Sequence, residues 1–157
     1  MNNYIEELIG LLESKQKLLQ TILSLTQEQA RAIDEENVEE LEKMVEEKQV
    51  HIDRINIIDK EFNFIYAEFK EKFGSLDINN AKDLEVREVK RLKDEVAKTM
   101  ELIKSIFAIE ESNNDKAGKL LQKISDSLKS ISQTKKVTNA YDQKAYQVQP
   151  HYIDKKK

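Results

Sequence analysis

The chain has 157 residues, of which 36% are charged and 39% hydrophobic, with three glycines, one proline, no tryptophan and no cysteine. This balance suits long amphipathic helices and argues against a compact α/β core, and without cysteine neither a disulfide framework nor thiolate chemistry is available. The formal charge of −4 covers an asymmetry, since residues 1–79 carry 9 basic and 18 acidic side chains and residues 80–157 carry 17 and 12, so the molecule as a whole is a poor partner for nucleic acid.

The chain opens with MNNYIEELIG, acidic where a signal peptide would be basic, and no apolar run approaches the ~20 residues that span a bilayer. The expectation is a cytoplasmic protein without direct membrane insertion. Apolar residues then recur at Ile5, Leu8, Leu12, Leu19, Ile22 and Ile33, with Leu11, Leu18 and Leu25 widening the stripe, which predicts a helix over about residues 3–33. Asp34-Glu35-Glu36-Asn37 ends it. Either Asn37 or Asp34 can cap the next helix, and Glu39 and Glu40 suit the positive end of its dipole.

The second predicted helix, 38–73, carries Val38, Leu41, Val45, Ile52, Ile55, Phe62, Tyr66, Phe69 and Phe73 at one 3-4 spacing, interrupted at Lys48 and Asp59. Met44, His51, Ile58 and Ile65 form a flanking row, and together they amount to a coiled-coil seam. Phe62, Tyr66, Phe69 and Phe73 read as core at the closed end of a bundle, with Phe64 off the seam. The carboxylates between Asp34 and Glu47 read as a solvated helix start. Gly74-Ser75 ends the second helix, and Leu76 to Asn80 make the turn.

A third pattern runs from Ala81 through Val89, Leu92, Val96, Ile103, Ile106, Ala117, Leu120, Ile124 and Ile131, predicting a helix over 81–134. At ~1.5 Å per residue the second helix spans roughly 54 Å and the third roughly 80 Å, so the third, antiparallel to the second, overhangs from about residue 117. Ser112-Asn113-Asn114-Asp115 and Gly118 favour caps and turns, and a kink or break is expected at 112–118. Beyond it Leu120, Leu121, Ile124, Leu128 and Ile131 form an apolar stripe with no helix left to cover it, which marks them as candidates for binding a partner helix, unless the stripe packs in a homodimer or folds back. The expected fold class is therefore all-α: an elongated antiparallel three-helix coiled-coil bundle over residues 1–134, with an overhanging third helix and a flexible tail over 135–157.

Catalysis finds no support. Glutamate-rich bundles bind two metal ions through Glu-x-x-His motifs, but His51 follows Lys48-Gln49-Val50, and no metal or cofactor is expected. No glycine-rich phosphate loop or nucleophile–base spacing is present either. The tail is unusual in its own way. Residues 133–157 hold six lysines against two aspartates, the only proline, and Tyr141, Tyr146, Val148, Tyr152 and Ile153, side chains of the kind that find pockets.

A leucine-rich first helix, an acidic turn followed by VEELEKMVEEKQ, a long third helix and the terminus AYDQKAYQVQPHYIDKKK resemble the FlgN-type flagellar export chaperones, over essentially the whole chain. The resemblance implies a cytoplasmic protein that binds hook–filament junction proteins through their C-terminal helices, keeps them unassembled and delivers them to the export-gate membrane protein. It further implies that an aromatic residue of the C-terminal region docks on the gate, a role falling to Tyr141, Tyr146 or Tyr152. A generic coiled-coil adaptor, a chaperone of another type III secretion system and a structural homo-oligomer stay open as alternatives.

Overall fold

The structure is a computed structural model, and it describes residues 2–74 and 83–141. They form three helices, α1 (Asn2–Asp34), α2 (Val38–Phe73) and α3 (Asp83–Tyr141), with no strand among the described residues. The chain divides into two units, Met1–Ala117 and Gly118–Lys157. The first is an all-α bundle of three helices.

The direction of the helices can be read from their cross-links. From α1 to α2 the partner numbers fall, Lys15 to Asp59 and Gln29 to Lys48, so these helices are antiparallel. From α1 to α3 they rise, Glu6 to Arg91, Gln16 to Glu95 and Asp34 to Lys116, so these run parallel. Two apolar clusters fill the interior. Ile5, Leu8, Ile9 and Leu12 pack with Phe69 and Leu92, and Leu19 and Ile22 pack with Ile55 and Ile106. All the residues expected on the main α1 stripe are buried, because α1 lies against both other helices and needs an apolar face for each.

The turn between α1 and α2 is tightly built. The N–H of Asn37 donates to the carbonyl of Ala32 at 2.8 Å and that of Glu36 to Ile33 at 3.0 Å, the two bonds of a Schellman motif. Glu36 occupies the left-handed position usually given to glycine, with φ 56°. Asn37 also begins the next element, its side chain accepting from the N–H of Glu40 at 3.2 Å. Of the two caps allowed by the sequence, Asn37 is therefore the one used, and Glu39 and Glu40 lie in the first turn as expected. At the other end Gly74, with φ 66°, donates its N–H to the carbonyl of Lys70.

The buried face of α2 differs from the expected seam. Met44, Lys48, Ile55 and Phe69 are buried, whereas Val38, Val45, Ile52, Tyr66 and Phe73 of the main row are exposed. The helix is rotated so that the flanking row, with His51, Ile58 and Ile65 half-buried, shares the core. Contacts to α1 set this rotation. Seating Lys48 against Gln29 turns the Val45 edge outward.

α3 also departs from expectation, running through 112–118 without a break. Asn113 is the reason a turn-former is tolerated there: it is 4% exposed, and its amide donates to the carbonyl of Thr26 at 2.9 Å. The helix continues to Tyr141, so residues 135–141, expected in the tail, are helical. Residues 142–157 and the expected turn at 76–80 lie outside the described residues.

Candidate functional site

Within residues 1–117 several polar side chains at the helix interfaces are matched to each other. Thr26 is fully buried, and its hydroxyl donates to the carbonyl of Ile22 at 2.6 Å. The Lys48 ammonium donates to the Gln29 side chain at 2.8 Å and to the Glu110 carboxylate, which joins all three helices at one level. Burial pushes the Lys48 ammonium below the ordinary lysine value. Nearer the N-terminus the Gln16 amide donates to Glu95 at 2.8 Å and to the Thr99 hydroxyl at 3.2 Å. That amide, followed by Lys98, holds the Glu95 carboxyl below its usual range. These groups hold one another in place.

No group of three or more His, Cys, Asp or Glu side chains among the described residues is arranged to hold a metal ion. His51 is half-buried on α2, its Nδ1 without a partner. Nor is any helix among the described residues long and apolar enough to cross a membrane. Two apolar surfaces stand out among the described residues.

The first is the stripe on α3 in the second unit. Leu120, Ile124, Leu128 and Ile131 follow one another at intervals of four, four and three residues, so they share one face, with Leu121 one position round from Leu120. Leu120 is buried, Ile124 and Leu128 are half-buried, and Leu121 and Ile131 are 67% and 51% exposed. The expectation of a wholly uncovered stripe therefore needs correcting at Leu120. Tyr141 is the last residue of α3, and Tyr146 and Tyr152 lie outside the described residues.

The second surface, unforeseen in the sequence, lies between α2 and α3. Phe69 is core as expected and Phe62 packs against the same cluster, but with the exposed Tyr66 they also form one wall of an open groove of about 520 Å³ whose other wall includes Val89, Leu92 and Val96. The Tyr66 ring stacks on Phe62 and Phe69, at centroid distances of 6.1 and 6.5 Å, which stiffens that wall. The signal that could have revealed it was a surplus: α2 carries two apolar rows and α1 has room to cover one.

A model of the family described as FlgN protein matches residues 1–149 of the chain. No curated protein and no solved structure gives a match.

Proposed function

Because the chain belongs to the FlgN family, we propose that it is a flagellar export chaperone which binds hook–filament junction proteins through their C-terminal helices, prevents their premature assembly and delivers them to the export gate. The observation that carries the site assignment is the partly exposed apolar row on residues 118–141. Leu121 and Ile131 present more than half of their surface, next to the half-buried Ile124 and Leu128. An amphipathic helix laid along this row would cover it with its own apolar face, the helix-in-groove mode of recognition.

The contact suits a temporary guardian. Each aliphatic side chain that becomes fully buried contributes about 1.5–3 kcal/mol, so a short row gives a hold that is specific and can still be released for export. Masking of this kind is a binding reaction. It proceeds by exclusion of the subunit's own partners and involves no bond-breaking step, in keeping with a chaperone family. Delivery is assigned to the C-terminal segment, with Tyr141, Tyr146 or Tyr152 supplying the ring that docks on the gate.

The test is titration of the full-length protein with the C-terminal helix of a junction subunit. Leu121→Glu combined with Ile131→Glu is expected to weaken binding at least tenfold while helical content, read by circular dichroism, stays unchanged, since both side chains are exposed in the free chain. Unchanged affinity would remove the stripe from the binding site.

A further inference from the structure

A bundle of three helices is complete when the facing edges of each pair are covered. In residues 1–117 the α2–α3 pair is not. Its groove of about 520 Å³ runs into a second recess of about 320 Å³, the two sharing Phe62 and Val96 and the second reaching Leu12 of α1. Measured along α2 from Ile58 to Gly74, the channel is ~24 Å long at 1.5 Å per residue, or about four turns of helix. Its exposed lips are apolar: Tyr66 on α2 is 37% exposed, and Val96 and Met100 on α3 are 38% and 51% exposed.

The charges around the channel narrow the choice of occupant. Lys70 stands on the α2 side and Lys93 on the α3 side, and these two are the charged side chains among the described residues that line the larger groove. Lys70 lies over the Tyr66 ring, 5.1 Å from its centroid, which places its charge at the lip. In the smaller recess Asp59 is already paired with Lys15 at 2.7 Å. Each bank of the larger groove thus offers a lysine to an incoming chain.

We propose that the α2–α3 groove binds one further helix, an amphipathic helix of about four turns from another protein, with aliphatic side chains at three- and four-residue spacing on one face and carboxylates on both flanks. Such a helix fills the fourth position of a bundle, its apolar face meeting Phe62, Tyr66 and Val96 and its acidic flanks meeting Lys70 and Lys93. The chain's own C-terminal segment is a poor occupant, because residues 142–157 carry four lysines against two aspartates. A second copy docked groove to groove would set the same two lysines against themselves. This site shares no residue with the α3 stripe and does not depend on the export reading.

The experiment uses the full-length protein and two synthetic 16-residue helical peptides with identical leucine faces, one flanked by glutamate and the other by lysine, followed by fluorescence anisotropy. The glutamate-flanked peptide is expected to bind at least tenfold more tightly. Lys70→Glu with Lys93→Glu is expected to reverse that preference, and Val96→Glu with Met100→Glu to abolish binding of both peptides, circular dichroism confirming that each variant is folded. Equal binding of the two peptides, or indifference to these substitutions, overturns the proposal. So does a dimer in sedimentation that Val96→Glu dissolves, which assigns the groove to a second copy, or a tenfold gain in peptide binding on deleting residues 142–157, which assigns it to the chain's own terminus.

Discussion

Lys48 occupies a position where a coiled-coil seam takes an apolar side chain, and in the sequence it reads as an interruption. In the structure it is 7% exposed and bonded to Gln29 of α1 and Glu110 of α3. A buried ion pair is a weak source of stability, since desolvation of both charges offsets most of their attraction. Its value here lies in register: sliding any one helix by a turn would strand a lysine in the core. Breaking the pair should therefore harm the fold more than replacing the lysine. Glu110→Ala is expected to lower stability by about 1–2 kcal/mol, the low end for a buried charge left unpaired because the Glu110 side chain is partly exposed. Lys48→Met together with Gln29→Leu is expected to stay within about 1 kcal/mol of the parent. Urea unfolding midpoints with unchanged slopes would establish both.

At the scale of the element, α3 carries Ser112, Asn113, Asn114 and Gly118 in its interior and remains helical. Local preference is overridden because Asn113 turns inward to the Thr26 carbonyl and Lys116 reaches Asp34 at 3.3 Å, both drawing α3 onto α1. Gly118 has no such compensation; a methyl group added there would meet no atom within 4 Å. Gly118→Ala is accordingly expected to raise the helical signal and stabilise α3 by about 0.5–1 kcal/mol, checked by circular dichroism and thermal melting. A loss of stability would mean that the glycine serves a conformation other than this helix. α2 offers the complementary lesson. Its periodicity is helical throughout, yet periodicity alone left two adjacent rows as candidates for the buried face.

At the scale of the whole molecule, the two units divide the chain between Ala117 and Gly118, and the export reading places both of its roles in the second, the stripe within 118–141 and the docking segment after it. On that reading the α3 stripe would hold the subunit while the C-terminal segment would be read by the gate. Residues 142–157 follow the last described residue, so a truncation after Tyr141 spares all three described helices. Deleting 142–157 is expected to leave affinity for a junction-subunit helix within twofold and to weaken gate binding several-fold, with Tyr152→Ala or Tyr146→Ala reproducing part of the loss. Both affinities should be measured by titration of the same truncated protein. If they fall together, holding and delivery are not separate functions of the chain.

The amino-acid sequence by itself determined the all-α class, the extents of α1 and α2 to within a residue, two candidate caps of which Asn37 is used, the stop at Gly74 and, through its resemblance, the family. Each of these depends on neighbours close in the chain: a 3.6-residue period, a capping side chain, a backbone angle that glycine tolerates. Tertiary structure alone decided which row of α2 faces inward, why Lys48 and Asn113 are admitted to the interior and that Phe62, Tyr66 and Phe69 wall an open groove. Those outcomes depend on residues tens of positions apart, Gln29 with Lys48 and Thr26 with Asn113 among them, which meet only after the helices have packed. A helical pattern states that a face will be buried, and the partner helix selects which one.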